Sequence, residues 1–178
     1  MTAAVVYASR YGSTGAVARH IATGLGPDTD VIDLADGDPD LSGYDLVILG
    51  TAVYKAQPLG LMTRLTSSQA LDGRAVALFV CGMESDPDKR HAETANAFPP
   101  ALLERAVDVA FLGGRLLFSR ITTTDRWTLR RISNAKTKTK TDVDAIDREA
   151  IDVFVSHLRD SLSVVAPVDQ VAGTGDDS

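Results

Sequence analysis

The chain has 178 residues, 44% hydrophobic and 24% charged, which suits a soluble globular protein with room for one domain and a full core. No stretch approaches the roughly 20 consecutive apolar residues of a membrane span, and Met1-Thr2 leads into Ala3–Tyr7 without a basic region or cleavage site, so the cytoplasm is the expected location. Cys81 is the only cysteine, which excludes an intrachain disulfide and a thiolate cluster; His20, His91 and His157 form no i, i+4 pair, which argues against a metal and against a Cys/His nucleophile. The formal charge of −6 is uneven: Arg115 to Lys140 holds eight basic residues and one acid, leaving −13 on the remainder, so this segment is a candidate contact surface.

In chain order, Ala3 to Ala8 reads as a buried strand ending in a Ser/Gly/Thr loop. A helix should begin near Ser13 or Thr14, with Val17, Ala18, Ile21, Ala22 and Leu25 at helical spacing and Gly24, Gly26 and Pro27 to stop it. Val31 to Leu34 is a short strand, Leu46 to Leu49 a second run closed by Gly50, and Pro58 to Ser67 can form a helix. Ala75 to Val80 is a further run closed by Cys81-Gly82, and Val107 to Leu112 another closed by Gly113-Gly114. Strands apolar throughout and alternating with helices imply an α/β fold, a five-stranded parallel sheet covered on both faces. The last helix is expected to start near Asp142 or Asp144, either of which can cap it, with Ile146, Ala150, Ile151, Phe154, Val155, Leu158 and Leu162 on one stripe. Residues 1–165 would then be one domain carrying a basic insertion at 115–141, and Ala166 to Ser178 a disordered acidic tail.

A loop after the first strand of an open parallel sheet lies at the carboxyl edge, where ligands bind. Ser9, Ser13 and Thr14 offer hydroxyls, Gly12 permits close backbone approach, the helix N-terminus adds free N–H groups, and Arg10 can add charge, a set suited to phosphate. The same residues also suit a simple helix cap with a Ser/Gly turn. Neither G-x-x-x-x-G-K-[ST] nor G-x-G-x-x-G is present, which leaves a mononucleotide loop as the functional reading.

Tyr7-Ala8-Ser9-Arg10-Tyr11-Gly12-Ser13-Thr14, followed by Val17-Ala18 and Ile21-Ala22, resembles the FMN phosphate signature of flavodoxins. Tyr44 to Tyr54 is similar to that family's third strand and first flavin-ring loop, and Ala77 to Met83 to its fourth strand and second flavin loop. The resemblance runs from about Ala3 to Leu162 and implies a flavodoxin-like doubly wound sheet with FMN as cofactor. It carries Ser9, Arg10, Tyr11, Gly12, Ser13 and Thr14 to the phosphate, and Thr51, Ala52, Val53, Tyr54, Lys55, Cys81, Gly82 and Met83 to the ring, with Tyr54 either stacking on the flavin or only covering the adjoining helix. The version of the phosphate loop and the long insertion before the last helix are similar to the menaquinone-dependent protoporphyrinogen oxidase type of flavodoxin-like protein.

Gly82-Met83-Glu84 stands where flavodoxins commonly place a second aromatic, so one ring face either stays open to a substrate or is covered by the Met83 thioether. Lys55 beside the slot can favour a reduced flavin anion; as a solvated surface lysine it would have no role. Cys81 reads as a small buried residue, His91 as part of a polar loop, and no general base is evident. Asp125 to Ile132 can form a short amphipathic helix in the basic insertion, whose partner is nothing, an anionic membrane surface giving access to a quinone, or an acidic protein or carboxylated substrate; nucleic acid is disfavoured by the acidic remainder. The expected function is an FMN-dependent oxidoreductase passing electron pairs from a small organic substrate to a quinone. The alternatives are an electron carrier that donates to a partner enzyme, and a domain without FMN that only binds partners.

Overall fold

The computed structural model describes residues 2–9, 12–53, 60–66, 69–116 and 143–165. The elements, in order, are β1 (Ala3–Ala8), α1 (Ser13–Leu25), β2 (Thr29–Asp33), β3 (Leu46–Ala52), α2 (Gly60–Thr66), β4 (Ala75–Cys81), α3 (Pro87–Ala97), α4 (Pro100–Arg105), β5 (Val109–Phe111), β6 (Gly113–Leu116), β7 (Val143–Ile146) and α5 (Arg148–Val165), with short 3-10 turns at Leu34–Asp36 and Gln69–Leu71.

Strands β1 to β5 form one sheet in the order β2-β1-β3-β4-β5, parallel at every pairing. The order reverses at β1, where the chain moves outward to β2 and then returns to the other side at β3, as in doubly wound sheets. β1 is buried along its whole length, which is why its sequence shows no alternation of polarity. One face packs Val5, Tyr7, Ile48, Phe79 and Cys81 against α1 and α5; the other packs Val6, Leu49, Leu78 and Val80 against Met62 of α2, Ala97 of α3 and Leu102 of α4.

Among the described residues two helices, α1 and α5, cover one face of the five strands. Val31 on edge strand β2 is 37% exposed, and shallow grooves of about 430 and 450 Å³ run beside β5 and β2. The helices α1 and α5 approach closely at Gly24, where a Cβ would lie 2.9 Å from Val155; Arg159 donates to the Gly24 carbonyl at the same crossing.

Several expectations are corrected. The run after Leu46 does not close at Gly50 but continues through Thr51 and Ala52. The run before Gly113-Gly114 does close there, with β5 ending at Phe111, but the glycines are not a plain loop: Gly113, with φ 68°, turns the chain into β6, which pairs antiparallel with β7. Ile146 therefore belongs to a strand, the last helix begins only at Arg148, and Asp144 does not cap it. Asp147 does, accepting from the Ala150 N–H at 3.0 Å. Ser85 to His91 is not a loop throughout. Asp86 accepts from the N–H groups of Asp88 and Lys89, and Pro87 opens α3, in which His91 is exposed. The expected helices at 58–67 and 125–132 and the tail fall wholly or partly outside the described residues, as do Arg10, Tyr11, Tyr54 and Lys55.

Candidate functional site

Parallel pairing places the carboxyl ends of β1, β3 and β4 at one edge. The register sets Ala8 beside Thr51 and Ala52 beside Cys81, so Ser9, Val53 and Gly82 leave the sheet side by side. The Val53 amide donates to the Cys81 carbonyl at 3.0 Å and ties the second of these loops to the third.

The first loop closes on itself. Ser9 Oγ accepts from the Gly12 N–H at 2.9 Å, and Gly12 has φ 88°, a left-handed conformation that favours glycine. Gly12 is also the N-cap of α1, and no side chain caps the helix there. The first intrahelical bond, Ala16 N–H to the Gly12 carbonyl, leaves the amides of Ser13, Thr14 and Gly15 ahead of the ladder, in the positive end of the helix dipole.

Thr14 is fully buried, and its Oγ1 has no hydrogen-bond partner in the structure. Cys81 lies beside it. The hydroxyl eases the thiol's burial slightly, yet the pair does not meet hydrogen-bonding geometry, and sulfur is in any case a weak partner. Burial dominates and pushes the Cys81 thiol up to about 12, so Cys81 is a packed, protonated residue of the core beneath the site. An unsatisfied buried hydroxyl costs about 1–3 kcal/mol, which a phosphate oxygen at the helix N-terminus would relieve.

Below this loop the packing is tight. A Cβ at Gly15 would lie 2.9 Å from the Tyr7 ring, so glycine lets α1 settle on β1. The Tyr7 hydroxyl is shifted upward, first by burial and then by the Asp33 carboxylate.

In the second loop Thr51 is fully buried and its hydroxyl donates to the Ala52 carbonyl at 3.4 Å, while Ala52 and Val53 are half-buried. The third loop is the most braced. The Gly82 N–H donates to the Gly113 carbonyl at 3.2 Å, Arg90 Nε donates to the Glu84 carbonyl at 2.6 Å, and the Glu84 carboxylate accepts from the amides of Ser85 and Asp86. Those amide bonds, led by Asp86, hold Glu84 below the usual carboxylate range. Met83 stands out from the loop, 47% exposed. Ser9, Gly12, Ser13, Thr14, Thr51, Ala52, Val53, Cys81, Gly82 and Met83 thus share one edge.

A model of the flavodoxin domain matches residues 4–144. The chain belongs to the flavodoxin domain family. Among solved structures it is similar to oxidised flavodoxin 2 from Bacillus cereus, at 16% identity over 90% of this chain and 99% of that one, with a TM-score of 0.57. It is similar also to a flavo di-iron protein mutant from Thermotoga maritima, at 15% identity over 90% of this chain and 36% of that one, TM-score 0.50. An archaeal flavodoxin matches at 21% identity over 88% of this chain and 100% of that one, TM-score 0.47. No curated protein matches the chain. At these identities the first two show the flavodoxin fold and nothing finer.

Sequence reasoning missed part of this flavodoxin edge. Arg90 and Glu93 of α3 brace the third loop from below, and Gly114 of β6 packs on it, where a Cβ would lie 3.1 Å from the Gly82 carbonyl oxygen. The Asp86-Pro87 pair, an N-cap followed by proline at the first helical position, was the available signal for α3. Among the described residues no helix is long and apolar enough to cross a membrane.

Proposed function

We propose that this chain binds FMN at the carboxyl edge of its sheet and acts as an electron-transfer protein that passes electrons to a partner protein. The observation that carries the reading is Thr14 Oγ1, a buried hydroxyl without a partner at an uncapped helix N-terminus. Ser9, Arg10, Tyr11, Gly12, Ser13 and Thr14 would hold the phosphate. Thr51, Ala52, Val53, Tyr54 and Lys55 would line one side of the ring, and Cys81, Gly82 and Met83 the other. FMN supplies reversible uptake of one or two electrons. The chain supplies orientation and the exclusion of water, through loops tied together by the Val53 to Cys81 and Gly82 to Gly113 bonds. Titration of the apo protein with FMN tests the reading. It expects quenching of flavin fluorescence with saturation at micromolar concentration, and no binding at that level would end it.

A second reading keeps the cofactor and adds an enzyme: protoporphyrinogen IX dehydrogenation with menaquinone as acceptor, on the cytoplasmic side of a membrane. Two observations favour it. Met83 is exposed where a second aromatic would cover the ring, and β6, which leads into the basic segment 115–141, starts beside Gly82. That segment would rest on anionic lipid by charge alone, weakly and reversibly. Photoreduction in two resolved one-electron steps supports the carrier; turnover of protoporphyrinogen with menaquinone, and sedimentation with phosphatidylglycerol vesicles at low but not high salt, supports the enzyme.

A further inference from the structure

Among the described residues two buried side-chain oxygens have no hydrogen-bond partner; Thr14 Oγ1 is one and Glu93 Oε2 is the other. Glu93 lies on α3 under the third loop. A Cβ at Gly82 would stand 3.1 Å from Glu93 Oε2 and 2.8 Å from the Phe111 ring, so the carboxyl and the ring together fill the space beneath Gly82.

Among the described residues the charges around it give the carboxylate form little support. Glu84, on the loop itself, repels it. Arg90, one turn back on α3, is committed to the Glu84 carbonyl and to the Phe111 ring, its guanidinium 5.3 Å from the ring centre. Lys89, at i−4, pairs with Asp86 at 4.0 Å. The strands packed on α3 bring apolar Val80 and Phe111 to this end. Glu93 as a whole is half-buried, but its oxygen beneath Gly82 is enclosed and unpartnered, so a charge there carries a partial desolvation cost that the neutral carboxyl avoids.

We propose that Glu93 is a positioning residue for the Gly82–Glu84 loop: its neutral carboxyl fills the space beneath Gly82, and loss of its proton to solvent places a charge beside Glu84 and loosens the loop. Burial, and then Glu84, raise Glu93 above the usual carboxylate range, consistent with this geometry. The folded state therefore holds this proton more tightly than the unfolded chain. The stabilisation is fully present below the unfolded value and is lost as pH rises through the raised one. For the loop's hold on a flavin ring, the proposal rests on the FMN reading given above; its first two readouts do not.

Full-length protein and Glu93→Gln, a neutral isostere, are compared from pH 4 to pH 8. Without FMN, the two should melt alike at pH 4, and the variant should melt higher at pH 7.5. Amide exchange at 82–86, corrected for its intrinsic pH dependence, should be faster in the wild type at pH 7.5 and equal at pH 4. With FMN, the wild type should lose affinity at least about threefold relative to the variant over that range. A constant melting difference across pH, or equal exchange at every pH, overturns the proposal. Glu84→Gln serves as a second variant: it should move the wild-type decline to lower pH, and an unmoved decline also counts against the proposal. Failure of both proteins to bind FMN would sink the cofactor reading while the melting and exchange curves still decide on Glu93.

Discussion

The ring of Phe79 occupies the place where Gly50 would carry a side chain: the two residues are paired across β3 and β4, and a Cβ on Gly50 would lie 1.9 Å from Phe79 Cζ. Gly50 lies in β3, three residues before the chain leaves the sheet at Val53, and Phe79 is fully buried, so the ring cannot escape to solvent. Gly50→Ala should cost about 3 kcal/mol in urea unfolding, at the upper end of overpacking effects. In Phe79→Ala the same glycine substitution should cost much less, because the obstructing ring is gone. A double-mutant cycle with a coupling near zero would show that the close approach does not matter.

Thr14 separates stability from binding. Replacing its unpartnered hydroxyl by a methyl in Thr14→Val removes a desolvation cost and keeps the shape, so the apo protein should melt at the same temperature or slightly higher. The same change should weaken FMN binding about tenfold, the net worth of one hydrogen bond to a charged group. Ser9→Ala combined with Thr14→Ala should lose about 2–3 kcal/mol of binding. If Thr14→Val lowers apo stability and leaves FMN affinity alone, the hydroxyl is structural.

Burial holds the Cys81 thiol protonated up to about 12, against an ordinary 9.0. The native protein should therefore resist iodoacetamide at pH 8, while urea-unfolded chain reacts readily. The sign of the pH linkage follows: the folded thiol keeps its proton where the unfolded one releases it, so its contribution is intact below pH 9 and is lost as pH rises toward 12. The stability advantage of wild type over Cys81→Ala should narrow across that window. An advantage independent of pH would show that the thiol does not feel its burial.

How much was legible depends on whether the signal was local. β1, β3 and β4 announce themselves as buried apolar runs bounded by small residues, and parallel strands end at one edge, so Ser9, Thr51 and Gly82 could be grouped before any coordinates. α3 gives no apolar stripe, since Ala97 is its only buried residue, and its first part, up to His91, reads as a polar loop despite the Asp86-Pro87 start. Pairing of Gly113–Leu116 with Val143–Ile146 spans a long separation and leaves no local trace. Glu93 was invisible for a similar reason, because its chemistry comes from Gly82, Glu84 and Phe111, which only the fold assembles around it.

The start of α5 was misread because Ile146 stands four residues before Ala150, in phase with the helix stripe, and acidic residues at Asp142, Asp144 and Asp147 all resemble caps. The structure separates two of them. Asp147 accepts from the Ala150 amide at 3.0 Å and its carbonyl takes the first helical bond from Ile151, whereas Asp144 Oδ1 accepts from the Ile146 amide within β7. Loss of an N-cap carboxylate costs about 1 kcal/mol. Asp147→Ala should therefore lower stability by roughly that amount, with Asp147→Asn restoring most of it because the amide oxygen still accepts. Asp144→Ala should have a smaller effect on the start of α5, since Asp144 accepts from the Ile146 amide within β7 and not from an amide of the helix. Urea unfolding of the Asp147 variants decides, and an Asp147→Ala protein as stable as the wild type would show that Asp147 is not the cap.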